Sequence, residues 1–104
     1  MKLPDLKIGK LNPKIPIVQG GMAVKVSTAP LVSAVANEGG IGLIGGSGMS
    51  SQELKEEIKK TRKMTDGIVG VNIMVAIRKF KELVNTAVDE GIDLIVAGAG
   101  FFWV

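Results

Sequence analysis

The chain has 104 residues, 46% hydrophobic and 22% charged, which allows one domain of soluble globular composition with a real core and no more. Its net charge of +3 comes from lysines scattered among acids, neither gathered on one face nor interleaved with aromatics, which argues against nucleic-acid binding. With no cysteine and no histidine, disulfides, thiol chemistry and the commonest general base and metal ligand are excluded.

Residues 1–13 read as a lead-in. "LKIGKLNPKIPIV" can form a hairpin with "NPK" as its turn, placed before a first strand "KIPIVQ" at 14–19. That strand runs into Gly20 and Gly21, a glycine pair that a tight turn or a close-lying ligand would each explain. "STAPLVSAVANEGG" (27–40) then has helical signals: Ser27 or Thr28 as cap, Pro30 in the first turn, and Gly39 as a left-handed stop. Its expected buried face is Leu31, Val32, Val35 and Ala36.

A second strand "GIGLIGG" (40–46) leads to the helix "MSSQELKEEIKKTRKM" (49–64). Ser50 and Glu53 have capping-box spacing, and Met49 is placed to staple onto Leu54. Leu54 and Ile58 form a thin apolar stripe, and Glu56 is spaced to pair with Lys60. The third strand is "GIVGVNIM" (67–74). The third helix, "RKFKELVNTAVDEG" (78–91), is expected to bury Phe80, Leu83, Val84, Ala87 and Val88, with Gly91 closing it. "GIDLIVAGAG" (91–100) is the fourth strand.

The strands are nearly continuous in apolar character, as in sheets covered on both faces. A β-α-β-α-β-α-β order at this spacing predicts an α/β fold with parallel strands and right-handed crossovers. Gly20 and Gly21, then Gly45, Gly46 and Gly48, then Asn72 and Met74, then Gly98 and Gly100 all fall at strand carboxyl ends. In parallel α/β folds those ends share the ligand-binding face, so a rim kept clear for a flat or phosphorylated ligand is expected. Gly40, Gly42 and Gly45 also satisfy G-x-G-x-x-G, but a helix precedes the motif and none opens at its last glycine, so a dinucleotide fingerprint is rejected. Glu38, Asp66 and Asp93 lie at helix ends or strand starts, away from the rim.

"PIVQGGMA" (16–23), "NEGGIGLIGGSG" (37–48), "GVNIM" (70–74) and "GAG" (98–100) together resemble the first half of nitronate monooxygenases, formerly called 2-nitropropane dioxygenases. Flavin-dependent enoyl-acyl carrier protein reductases share the pattern. The resemblance implies half of a TIM (β/α)8 barrel holding FMN at its rim, in a flavoprotein oxidoreductase that oxidises alkyl nitronates with oxygen. It places Gly20, Gly21, Met22 and Ala23 against the isoalloxazine ring, with Asn72 hydrogen-bonded to the flavin. From the residues alone, Asn72 is equally a strand-end residue serving a turn, Met22 ordinary packing, and Gln19 either a rim donor or a polar strand end.

The family barrel has eight strands, a catalytic histidine and phosphate-binding glycine loops in its second half, none of which these 104 residues supply. No catalytic or metal-binding residue is therefore assigned, FMN binding is expected to be weak and turnover slight. "FFWV" (101–104) reads as an atypical end, by truncation or frameshift. The alternatives to an FMN-dependent monooxygenase half are an inactive, self-associating half barrel that at most binds a flavin or nucleotide-like ligand, or a fragment of the enoyl reductase type. A small-molecule substrate and a homo-oligomer are expected. No apolar run approaches the ~18 residues of a membrane span, and "MKLPDLKIG" lacks a signal-peptide core, so a cytoplasmic location is expected.

Overall fold

A computed structural model describes residues 3–23 and 26–98. Three helices alternate with three strands: α1 (Ala29–Asn37), β1 (Ile41–Gly45), α2 (Ser51–Met64), β2 (Ile68–Met74), α3 (Phe80–Asp89) and β3 (Leu94–Gly98). The strands form one parallel sheet in the order β1-β2-β3. The expected Gly100 and "FFWV" lie outside the described residues.

The expected first strand is reduced to one parallel bridge, Val18 with Ile41. Pro16 is the reason. It offers no N–H, and around it the Ile17 N–H turns back onto the Ile15 carbonyl at 2.8 Å instead of facing outward. The segment still runs beside β1, through Ile15 N–H to Gly39 O, Ile41 N–H to Ile17 O and Gln19 N–H to Ile41 O. The leading turn also falls elsewhere than expected. It sits at Gly9 and Lys10, between the antiparallel partners Ile8 and Leu11, because Gly9 supplies a φ of +56°.

Neither Ser27 nor Thr28 caps α1 with its side chain. Thr28 occupies the cap position in extended backbone, and the Ala29 N–H donates to the Glu57 carboxylate of α2 at 2.9 Å. A carboxylate at a helix start also complements the helix dipole. The buried stripe is Ala29, Val32, Ser33 and Ala36, while Leu31 is exposed. Small residues are needed because α1 lies hard against β1: a Cβ on Gly42 would sit 2.3 Å from the Val32 carbonyl oxygen. Gly42 and Gly45 are thus strand residues, consistent with rejecting the dinucleotide motif. Gly39 (φ +98°) and Gly91 (φ +71°) end their helices as expected.

In α2 the capping box is complete: Glu53 N–H donates to Ser50 Oγ at 3.1 Å, and Ser50 N–H to Glu53 Oε1 at 3.2 Å. Leu54 and Ile58 are fully buried, and Glu56 accepts from Gln52 rather than from Lys60. In α3, Leu83 and Ala87 are buried and Phe80 and Val84 pack beside the core, but Val88 is 60% exposed. No described element covers that outer side.

Strand alternation divides the sheet. Ile44, Val69, Val71 and Ile73 join Val32, Met49, Leu54, Ile58 and Leu83 in one cluster, which puts all three helices on one face. The opposite face carries the register rows Leu43–Gly70–Leu94 and Gly45–Asn72–Val96. It is buried at Ile41 and Leu43 and opens toward Val96, so it is less bare than a three-helix layer alone would leave it. The amino ends of β2 and β3 are tied by Arg62. Its guanidinium reaches Gly67 O at 3.1 Å and Asp93 Oδ2 at 2.8 Å, and the same Oδ2 accepts the Val69 N–H at 3.0 Å.

Candidate functional site at the carboxyl rim

The loop 20–23 leaves the lead segment at the carboxyl end of β1. Gly21 lies so close to β2 that a Cβ there would be 2.6 Å from Asn72 Cβ, and Asn72 Nδ2 donates to the Gly21 carbonyl at 2.9 Å. Gly45 fits equally tightly: its Cβ would be 2.4 Å from the Met22 carbonyl oxygen. The Gly46 N–H donates to Asn72 O at 2.9 Å, the Met74 N–H to Ser47 Oγ at 2.9 Å, and the Val75 N–H to Gly98 O at 2.6 Å. The glycine-rich ends from successive strands therefore meet on one rim.

Gly20 differs from its neighbour. Its φ is not in the left-handed region and a Cβ would meet nothing within 4 Å, so neither backbone conformation nor internal packing requires glycine there. The space above it is open. Met22 is 49% exposed beside it, and Ala23, Met74 and Val96 are also exposed.

The polarity of the loop is set by two side chains. Gln19 brackets Leu43 with both ends of its amide: Oε1 accepts the Leu43 N–H at 3.0 Å and Nε2 donates to Leu43 O at 3.2 Å. In effect the side chain continues toward the rim the pairing that the lead backbone abandons. Nε2 also lies within hydrogen-bond reach of the Gly20 carbonyl and Ser27 Oγ, its two protons shared among the three acceptors. Ser27, fully buried, accepts the Met22 N–H at 2.8 Å, and its own N–H donates to Met22 O at 2.9 Å. The carbonyls of Gly20, Gly21 and Met22 are thus all engaged. The N–H groups of Gly20, Gly21 and Ala23 have no partner among the described residues. Among the described residues, Gly20 and Gly21 thus have engaged carbonyls and unclaimed N–H groups.

Sequence reasoning placed Gly20, Gly21, Met22, Ala23 and Asn72 together, and they are together. Asn72 serves the neighbouring loop rather than its own turn. What sequence reasoning missed is Ser27, taken for a helix cap, and the clamp made by Gln19; a buried serine five residues past Met22 has no local signature. Two concavities lie away from the rim. One of about 610 Å3 sits at the amino ends of the strands, lined by Lys14, Asn37 and Asp66 among others, and one of about 440 Å3 is lined by Ile15, Ile17, Ala34 and Val35. Gly20, Met22, Ala23, Met74 and Val96 of the rim are exposed.

Parallel βα units with helices on one face and converging glycine ends define a segment of a (β/α)8 barrel. The chain belongs to the nitronate monooxygenase family, whose model matches residues 5–95. It is 44% identical over 75 residues to a probable nitronate monooxygenase of Staphylococcus saprophyticus, covering 72% of this chain and 21% of that protein. It is 43% identical over 65 residues to one of Staphylococcus haemolyticus, covering 62% and 18%. The chain thus spans about a fifth of the length of these curated relatives. Among solved structures, FabK from Thermotoga maritima superposes with a TM-score of 0.81 at 35% identity, over 85% of this chain and 28% of that one. Nitroalkane oxidase from Streptomyces ansochromogenes gives 0.76 at 20% identity over 82% and 34%, a likeness of fold.

Proposed function

We propose that these residues form the flavin-receiving amino-terminal part of an FMN-dependent oxidoreductase of nitronate monooxygenase type. The supporting observation is the set of N–H groups of Gly20, Gly21 and Ala23 left unclaimed among the described residues, beside the open space at Gly20, which suits the acceptor-bearing edge of a planar ring. Gly20 would let the ring lie against main chain, Met22 and Ala23 would flank it, and Asn72 would hold Gly21 while offering its Oδ1 to a ring N–H. The flavin, when bound, supplies the electron chemistry, and the protein supplies position and hydrogen bonds. With no histidine in the chain, no imidazole here can take a substrate proton. Titration with FMN tests the reading: bands near ~370 and ~450 nm that remain with the protein after gel filtration are expected, as the cofactor's own chemistry dictates. Asn72→Ala is expected to bind about tenfold more weakly, the worth of roughly one hydrogen bond, with the fold intact. A wild-type chain that retains no FMN would abandon the flavin assignment.

A second reading, an inactive self-associating half barrel, is favoured by apolar side chains exposed at both margins of the sheet. Ile17 (58%) and Val18 lie on one side, Val88 and Val96 on the other. Such patches commonly mark contact surfaces. Light scattering should return a mass of two copies or more, and a monomer at high concentration would contradict it.

A further inference from the structure

We infer that Gln19 and Ser27 are positioning residues that fix which main-chain groups of the 20–23 loop a ligand meets; the ligand half of this inference rests on the flavin reading above. Glycines at 20 and 21 give the loop many accessible conformations, so something must select one. The selection is made by a closed hydrogen-bond network. The Gln19 amide cannot flip, because Oε1 is held by the Leu43 N–H and Nε2 by the Leu43 carbonyl. That orientation aims Nε2 at Gly20 O and Ser27 Oγ. The hydroxyl accepts from Nε2 at 3.1 Å and from the Met22 N–H at 2.8 Å, which leaves its own proton for Gly20 O at 3.4 Å. Every polar atom of the two side chains is used, and Ser27 is fully buried.

The consequence is a choice of donors. The Met22 N–H is withdrawn onto Ser27, and those of Gly20, Gly21 and Ala23 are left without a partner among the described residues. Without the hydroxyl, the Met22 N–H loses its acceptor and the Gly20 carbonyl loses one of its two donors. The loop can then turn acceptors toward the rim, where an electron-rich ring edge would be repelled. Neither side chain needs to touch the ligand.

The test uses the full chain, its Ser27→Ala and Gln19→Ala variants, amide hydrogen exchange and FMN titration. In the unliganded wild type, Met22 is expected to exchange slowly and Gly20, Gly21 and Ala23 fast. In Ser27→Ala, Met22 exchange should rise about tenfold, as loss of one buried hydrogen bond implies, while Val69 and Val71 in β2 stay protected. FMN affinity should fall at least about tenfold on the same reasoning, and the band shape of the bound flavin should change. A helix-cap or packing role for Ser27 would lower stability without altering that band shape. Unchanged Met22 exchange overturns the clamp. Unchanged FMN affinity and spectrum, with Met22 exchange raised, overturns the positioning role and leaves the flavin reading standing. A wild-type chain that binds no FMN overturns the flavin reading and the ligand half of this inference together, while the exchange result still decides the clamp. Gln19→Ala guards against an unfolded Ser27 variant, since it frees Gly20 O and Ser27 Oγ from the other side of the network by removing a side chain that is not fully buried, and the same loss of FMN affinity is expected.

Discussion

The two ends of the parallel strands are held by different chemistry. At the amino ends, charge does the fastening: Arg62 and Asp93 tie the entries of β2 and β3 to the last turn of α2, and every group involved has a protein partner. At the carboxyl ends, neutral amides, a hydroxyl and glycines do it, and the N–H groups of Gly20, Gly21 and Ala23 have no partner among the described residues. The described concavity of about 610 Å3 is at the first end, not the second. Volume alone would therefore point to the amino ends. Unclaimed polar groups beside an open glycine point instead to the carboxyl ends, in keeping with the division in barrels between a stability face and a chemistry face.

The contrast is broken most severely by Gly45→Ala. Its new Cβ would strike the Met22 carbonyl, main chain that cannot swing aside, and a loss of about 2–3 kcal/mol in urea unfolding is expected together with loss of FMN binding. Asp93→Ala tests the other end. It strands the Val69 N–H and one arm of Arg62, but the pair is about one-third exposed, so a loss of roughly 1–2 kcal/mol is expected with FMN affinity unchanged. Reduced FMN affinity in that variant would erase the proposed separation of roles. Ser50→Ala, which opens the capping box just past the rim, should cost about 1 kcal/mol in thermal unfolding. Gly20→Ala gives the smallest stability change and the sharpest test. With nothing near its Cβ it should unfold within about 0.5 kcal/mol of the wild type, yet bind FMN measurably less well. Equal affinity would mean that Gly20 faces no ligand.

The element order, α2 with its capping box, the helix-ending glycines and the convergence of the rim were legible because each is encoded locally, by periodicity, by i to i+3 spacing or by strand ends. The failures were tertiary. Val32 and Ala36 are buried in α1 as expected, but Leu31 is exposed and Val35 half-buried, because the close approach of Gly42 to Val32 turns the smaller Ala29 and Ser33 inward instead. Val88 likewise fits its helix, and no described element lies over it. The expected first strand, 14–19, was overcounted because a β-branched run around Pro16 looks extended, while the missing N–H leaves it unable to sustain a ladder. Ser27 stood next to a helix and read as its cap. Its real partners are Met22, five residues back, and Gln19, eight back, a separation no cap rule spans.

One layer beneath Asn72, the row Leu43–Gly70–Leu94 crosses the inner face, and Gly70 has no side chain because Leu43 and the Leu94 backbone already fill the place where one would stand. Two residues along a strand amount to about 6.5 Å, so this plug lies barely one ring-width below the rim. Anything seated over Asn72 would thus rest on a floor already filled by Leu43 and Leu94, and could sink no deeper than that layer.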